Sequence, residues 1–255
     1  MKEGRSFTGW FGLLVLILLV ASWQVLSGHG LVSSLFFPPP STILTTLYNL
    51  AVSGILWEHL GITMLRMLLG LLLGGIPGLI LGLLMGWSRP IKIAVDPFVA
   101  ALHPLPKIAI LPLIMIIFGI GELSKVVAVA VAVFFPMLIN SLAGVLQINP
   151  VHFEVARLHR ASPLQTFVRV ILPGSLPMIV AGLRISLNSA LLITIAVELV
   201  AARTGLGALI WLSWEILRTE NLYAGLIVIG LIGILSNVLM QRLSTRLLPW
   251  MHERG

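Results

Sequence analysis

Apolar runs long enough to cross a lipid bilayer recur along this chain and limit the folds open to it. A membrane-spanning helix needs about 20 mostly apolar residues, and 58% of the 255 residues are hydrophobic while 10% are charged. Backbone groups inside a bilayer must bond to one another, which favours helices. We therefore expect an all-α, polytopic membrane protein with one transmembrane domain, 1–255. Its spans are predicted at about 10–26, 60–86, 93–118, 123–146, 175–200 and 222–243.

The basic residues predict the orientation of these spans. With both termini placed in the cytoplasm, three basic residues fall on the outer side of the membrane, namely Lys125, Arg203 and Arg218. The basic residues that fall on the cytoplasmic side are Lys2, Arg5, Arg89, Lys92, Arg157, Arg160, Arg169, Arg242, Arg246 and Arg254. This excess follows the positive-inside rule. The net charge of +7 is therefore typical of membrane topology, and we expect no binding to nucleic acid.

Two of the predicted spans carry unusual residues. Glycines recur every four positions from Gly70 to Gly86, and such a stripe lets helix backbones approach closely in lipid. The stripe is consistent with internal helix packing or with a surface that slides during a conformational cycle. In the third predicted span, four prolines fall between Pro97 and Pro112. No straight helix tolerates that density, and broken backbone at membrane depth must be buried in protein or line a cavity.

A polar insert, 149–173, separates two long apolar runs. Asn149 followed by Pro150 predicts one helix start, and Ser162, Pro163 and Gln165 predict a second with a capping box. We expect two cytoplasmic helices, the second ending at Leu172-Pro173. The apolar faces expected to pack on the bundle are Val151, Val155 and Leu158 in the first helix and Leu164, Phe167, Val168 and Ile171 in the second. The residues alone leave two roles open, which are docking a soluble partner or resting on anionic lipid.

The insert resembles the EAA motif of ATP-binding-cassette importer permeases. Glu154-Val155-Ala156 matches the start of that pattern and Leu172-Pro173 its end, while Arg160 stands where the family has glycine. The stretch PLPKIAILPLIMIIFGIGELSK resembles a second signature, from the MetI-like permease branch for nitrate, sulfonate, taurine and bicarbonate. The resemblance covers about 37–249.

That resemblance implies a transport subunit without enzymatic activity of its own. It implies a homodimer in the bacterial inner membrane, a cytosolic ATPase dimer that carries ATP and Mg, and an extracytoplasmic solute-binding protein. The chain itself is expected to bind no cofactor, and it contains neither cysteine nor a Gly-x-x-x-x-Gly-Lys-Ser/Thr loop. The residues expected to couple to the ATPase are Glu154, Val155, Ala156, Arg157, Arg160, Ser162 and Pro163.

Ionisable residues in or near the spans are candidates for a translocation pathway. His103 and Lys107 fall in the proline-broken segment and are the more pore-like pair. Arg66, Arg184 and Glu198 are further candidates, although each could instead form a structural ion pair. Glu58 or Glu198 could pair with Arg66, and Glu198 could also pair with Arg184. An ion-driven secondary transporter and a membrane-anchored regulatory protein remain as alternative functions.

Overall fold

The fold was obtained as a computed structural model that describes residues 4–249. Within this range it is all-α, as predicted. Two short irregular turns join helices, a 3₁₀ turn at Lys107–Ile110 and a π turn at Phe167–Ile171. The helices are α1 (Gly4–Gly28), α2 (Pro40–Val52), α3 (Ile55–Trp87), α4 (Arg89–Leu102), α5 (Leu111–Phe118), α6 (Glu122–Leu146), α7 (Pro150–Leu158), α8 (Pro163–Thr166), α9 (Leu172–Ala201), α10 (Leu206–Glu215) and α11 (Thr219–Leu247).

Four helical stretches within 4–249 are long and apolar enough to cross a membrane, which agrees with four of the predicted spans. They are Ile55–Trp87, Glu122–Leu146, Pro163–Ala201 and Thr219–Leu247. A fifth span is formed if α4 and the following stretch Lys107–Phe118, which are bent relative to each other, are counted as one span. The first predicted span, 10–26, falls within α1. The count of six spans therefore stays a prediction, and Lys2 and Arg254, which served to orient the termini, lie outside the described residues.

The glycine stripe of α3 packs against α6 and forms the centre of the bundle. A methyl group added at Gly74 would overlap the backbone carbonyl of Ala130, and one added at Gly82 would overlap that of Leu138. At Gly86 the added group would meet the side chain of Val145. Only glycine permits this separation of the helix axes, so the packing interpretation of the stripe is confirmed.

The second helix begins differently from the way its sequence suggests. Ser41 and Thr42, which follow the three prolines, are of the residue types that usually cap a helix, but α2 starts at Pro40 and no capping side chain precedes it. The side chain of Gln24, from α1, instead accepts from the backbone N–H of Ser41 at 3.0 Å and donates to its hydroxyl at 3.1 Å. A cap supplied from another helix has no local sequence signal, which explains the error.

The third predicted span is broken, as its prolines indicate. Helix α4 ends at Leu102, residues 103–106 form the break, and the following stretch Lys107–Phe118 is bent by 92° from α4. Pro104 and Pro106 have no backbone N–H, so several carbonyls at the end of α4 lose their helical partners.

Candidate functional sites

Both helix starts of the insert have the predicted caps. The Asn149 side chain accepts from the backbone N–H of Val151 at 3.0 Å. The Ser162 hydroxyl accepts from the N–H of Gln165 at 3.2 Å, and the Gln165 side chain accepts from the N–H of Ser162 at 2.8 Å. The reciprocal pair is a complete capping box, as expected.

The second helix of the insert does not end at Leu172-Pro173, and that prediction is wrong. The chain runs from α8 through the π turn into α9 as one helical stretch, Pro163–Ala201. The N–H of Leu172 donates to the carbonyl of Phe167, five residues earlier. The wider turn places Pro173 where its missing N–H and its ring are tolerated, so the insert is joined rigidly to a span.

Arg160 forms the bend between the two helices of the insert. Its φ is 51°, in the left-handed region. The N–H of Arg160 donates to the carbonyl of Arg157 at 2.9 Å, and that of Ala161 donates to the carbonyl of Ala156 at 2.9 Å. These two bonds are a Schellman motif, in which the left-handed residue is usually glycine. The chain thus bends at the glycine position of the EAA pattern. Arg160 adopts the left-handed conformation there, which costs more for arginine than for glycine.

We expect Arg160→Gly to stabilise the protein by about 1 kcal/mol, because glycine adopts the left-handed conformation without a steric penalty. Arg160→Val should have the opposite effect, since a β-branched side chain disfavours positive φ strongly. The measurement is the thermal unfolding midpoint of the two variants in detergent. A higher midpoint for valine than for glycine would contradict this account of the bend.

The insert buries a different set of apolar residues from the one that was predicted. Ile171 is fully buried and Phe167 half-buried, with the ring of Phe167 5.7 Å from that of Trp87. Phe153 of α7 packs in the same cluster. The remaining apolar residues that were expected to be buried are exposed, namely Val151, Val155, Leu158, Leu164 and Val168. Two aromatic rings therefore anchor the insert, and its free surface is apolar as well as charged.

The predicted coupling residues lie around three openings on this free surface. Val155 and Ala156 line a cleft of about 600 Å³ between α7 and the following helix, together with His152, His159 and Arg169. Glu154 and Arg157 line a shallower groove that reaches Gly86 at the end of α3. Pro163 and Arg157 border a further groove beside Trp87. The seven predicted residues are thus brought to one end of the bundle, with Ser162 in the cap and Arg160 at the bend.

Arg66 and Glu198 form a buried ion pair near the opposite end of the bundle. Arg66 is 2% exposed and Glu198 is fully buried. The Nη1 group of Arg66 donates to Oε1 of Glu198 at 2.8 Å. Its Nε and Nη2 groups donate to the two carboxylate oxygens of Glu122 at 2.7 and 2.8 Å. Glu198 is therefore a partner of Arg66, as one interpretation expected, whereas Glu58 is not.

The buried pair also holds the loop between α9 and α10. The backbone carbonyl of Thr204 accepts from Arg66 at 2.6 Å, and the N–H of Gly207 donates to Glu198 at 2.9 Å. Gly205 has φ 117°, and a side chain there would collide with the Glu198 carboxylate. Arg66 and Glu198 thus fasten α3, α6, α9 and this loop together.

Lys107 bonds to backbone carbonyls at the break after α4. Its Nζ donates to the backbone carbonyls of Leu102, His103 and Leu105 at 3.1, 2.7 and 2.8 Å. The same ammonium group lies 4.6 Å from the ring centroid of Phe135, and the His103 ring lies 5.7 Å from that ring. His103 and Lys107 are therefore adjacent, and Lys107 supplies donors to carbonyls at the end of α4 and within the break.

The last of the predicted pathway residues is not part of either cluster. Arg184 lies on α9 with its side chain exposed, and it makes no hydrogen bond or ion pair with the residues that the structure describes.

The sequence did not predict that Glu122 belongs to the buried cluster of Arg66 and Glu198. Glu122 begins α6, and the Nζ group of Lys125, one turn later, donates to its Oε1 at 2.7 Å.

Comparison with known proteins identifies the family. Residues 78–253 match the family described as the inner membrane component of binding-protein-dependent transport systems. The chain is 37% identical over 250 residues to the putative aliphatic sulfonates transport permease protein SsuC of Bacillus subtilis, covering 98% of this chain and 91% of the relative. It is also 37% identical over 254 residues to the taurine transport system permease protein TauC of Escherichia coli, covering 98% and 92%.

A solved structure supports the fold. An inward-facing MetNI methionine ABC transporter matches with a TM-score of 0.65 at 22% identity, covering 78% of this chain and 96% of that chain. These relatives decide against the secondary transporter and the regulatory protein as alternatives. The chain belongs to the inner membrane components of binding-protein-dependent transport systems, which are the permease subunits of ATP-binding-cassette importers.

Proposed function

We propose that the chain forms the translocation pathway for a small sulfonate-type anion, such as taurine or another alkanesulfonate. The observation that carries this proposal is 37% identity over nearly the full length to permeases named for aliphatic sulfonates and for taurine. An extracytoplasmic solute-binding protein would deliver the anion. Most of the selection among sulfonates would take place in that protein.

We assign the insert 149–173 to the cytoplasm, where it docks on a separate ATPase. Its free surface combines exposed apolar side chains, such as Val155 and Leu158, with exposed charges, such as Glu154 and Arg157. An exposed apolar patch rimmed by charges is typical of a protein interface. Because the insert continues through the π turn into α9, a force on the insert is transmitted to a membrane span without a flexible joint.

ATP and Mg would be held by the ATPase. Closure of an ATPase dimer on ATP would move the two docked inserts and turn the pathway from the cytoplasm to the outside. Glu154, Val155, Ala156 and Arg157 would contact the ATPase, while Arg160, Ser162 and Pro163 shape the bend that presents them. This division follows from their positions in the fold, since the latter three form the turn itself.

The pathway would lie between two copies of the chain in the inner membrane. Large apolar residues on and just after α5 are exposed in the single chain, including Ile116 at 81% and Ile120 at 86%. A second copy would cover part of this surface. His103 and Lys107, at the break, are our candidates for contact with the anion, because neither is buried in the bundle. Arg66 and Glu198 serve as scaffold, because both are buried and bonded to each other.

The decisive experiment is reconstitution with the cognate ATPase and solute-binding protein in proteoliposomes. We expect ATP-dependent uptake of taurine or an alkanesulfonate, and we expect Glu154→Arg to reduce both uptake and stimulated ATP hydrolysis at least about tenfold. A charge reversal inside a protein interface costs several kcal/mol, which corresponds to more than tenfold in affinity. Uptake and hydrolysis are measured on the same vesicles.

Glu58→Arg is the matched control, because Glu58 is an exposed acid at the opposite end of the bundle. It should leave ATP hydrolysis unchanged. Equal activity of Glu154→Arg and the unmodified chain would remove Glu154 from the coupling surface. Failure of the chain to copurify with the ATPase would reject the docking role of the insert, and failure to take up any sulfonate would reject the substrate.

A further inference from the structure

One face of α4 carries the charged and polar residues of that helix. Arg89, Lys92, Asp96 and His103 are separated by three, four and seven residues. At 3.6 residues per turn, these spacings place the four side chains within about 60° of one another around the helix axis. Phe98 and Ala101 lie on the other side of the helix. We refer to the four residues as the polar stripe of α4.

The polar stripe is open in the single chain. Helix α4 contains no buried residue, and three members of the stripe, Arg89, Asp96 and His103, are exposed. Within residues 4–249 the side chains of Arg89, Lys92 and Asp96 form no hydrogen bond or ion pair. Charged side chains in a membrane-spanning segment face the bundle interior or a water-filled cavity, because hydrocarbon does not solvate them. Arg89 and Lys92 lie at the cytoplasmic end of this face, whereas Asp96 lies inside the predicted span 93–118. The unpaired carboxylate of Asp96 therefore requires water.

The polar stripe rises from one end of the bundle to its middle. Helix α4 begins two residues after Trp87, whose neighbour Gly86 packs against Val145 near the last turn of α6. The stripe ends at His103, the residue that follows α4, and the His103 ring contacts Phe135. Ten residues of α6 separate these two contacts, or about 15 Å of depth. The stripe thus leads from the end of the bundle that carries the insert to the break at which Lys107 bonds.

From this geometry we infer that the polar stripe of α4 lines a water-filled path for the substrate between the cytosol and the middle of the membrane. The direction and the cargo of this path rest on the proposed function. Arg89 and Lys92 give the stripe an excess of positive charge over Asp96, and Lys107 adds a further charge at its inner limit. A path lined in this way concentrates anions from the surrounding water, which suits a sulfonate.

The experiment uses cysteine scanning, for which the chain is suited because it contains no native cysteine. Ala100→Cys places a thiol on the polar stripe, between Asp96 and His103. Ala101→Cys is the matched control, since Ala101 is exposed at the same depth but lies about 100° further around the axis. Each variant is assembled with the ATPase, reconstituted, and treated with a charged methanethiosulfonate reagent from the cytoplasmic side.

We expect Ala100→Cys to react at least about tenfold faster than Ala101→Cys, because a thiol surrounded by hydrocarbon or protein forms little thiolate. The anionic reagent, (2-sulfonatoethyl) methanethiosulfonate, should be favoured about tenfold over the cationic trimethylammonioethyl reagent, after correction for their rates with a free thiol in solution. Copurification of each variant with the ATPase shows that the assembly is intact.

Equal rates at the two positions, or no reaction at Ala100→Cys in an intact assembly, would overturn the inference. A preference for the cationic reagent would overturn the assignment to an anion. These outcomes are separable from the proposed function. If sulfonate uptake is normal while Ala100→Cys is unreactive, the path lies elsewhere. If the labelling pattern holds without sulfonate uptake, the inference of a water-filled path is supported and the substrate is wrong.

Discussion

Replacing Glu198 by alanine is expected to destabilise the folded permease by about 3 kcal/mol or more. Arg66 is 2% exposed, and loss of Glu198 leaves part of its charge buried without a partner. Removing one member of a buried pair typically costs about 3 to 5 kcal/mol. The lower end applies because Glu122 still contacts Arg66. The N–H of Gly207 also loses its acceptor, so the loop between α9 and α10 should loosen.

This expectation is tested by the yield of monodisperse protein in detergent and by its thermal unfolding midpoint. Glu122→Gln is the matched control, because Glu122 is 60% exposed and water replaces much of the lost interaction. The double variant Arg66→Leu with Glu198→Leu should be more stable than Glu198→Ala, since no unpaired charge stays buried. An unfolding midpoint for Glu198→Ala equal to that of the unmodified chain would show that the pair does not hold the fold together.

Gly74→Ala is expected to destabilise the protein by about 3 kcal/mol, a large effect for one methyl group. The added carbon would overlap the backbone carbonyl of Ala130 on α6. A side chain can rotate away from an added carbon, but the backbone carbonyl of a helix cannot. Helices α3 and α6 must therefore move apart along their contact. Overpacking of this kind typically costs about 1 to 3 kcal/mol, and the contact with backbone places Gly74 at the upper end.

Gly61→Ala is the control for Gly74→Ala. Gly61 lies on the same helix, α3, and apart from the adjacent turns of that helix nothing lies within 4 Å of the position an added methyl group would take. Alanine there should be neutral or should stabilise by about 0.5 to 1 kcal/mol, because glycine inside a helix is unfavourable. Both variants are compared by the unfolding midpoint in the same detergent. Equal midpoints would mean that the glycine stripe is not a close helix contact.

Local sequence signals predicted the turns of the insert well and its burial poorly. Asn149, Ser162 and Gln165 cap helices through bonds to residues two or three positions away, so the sequence alone indicates them. The anchoring face depends on what the rest of the bundle presents. Phe153 was not predicted to be buried, because Val151, Val155 and Leu158 make the more regular apolar stripe. In the structure Phe153 packs beside Leu83 and Phe167.

The clusters of charged residues show the same limit. Arg66, Glu122 and Glu198 are separated by more than 50 positions, and their contacts exist only because α3, α6 and α9 converge. The sequence identified Arg66 and Glu198 as unusual, since charges in apolar runs are rare. It offered two acids, Glu58 and Glu198, as partners of Arg66 and no means of choosing between them. The polar stripe of α4 was not predicted either, because the expected span began at 93 and left Arg89 and Lys92 in a loop, whereas α4 begins at Arg89.

By itself the sequence determined that the chain is an all-α membrane protein, that its third span is broken, and that a capped insert lies between two spans. These features follow from hydrophobicity, proline chemistry and hydrogen bonds over a few residues. The tertiary structure decided which residues the glycine stripe touches, which acid pairs with Arg66, and which face of the insert is free. Those outcomes depend on contacts between distant helices, whose relative positions are set by packing of the whole bundle.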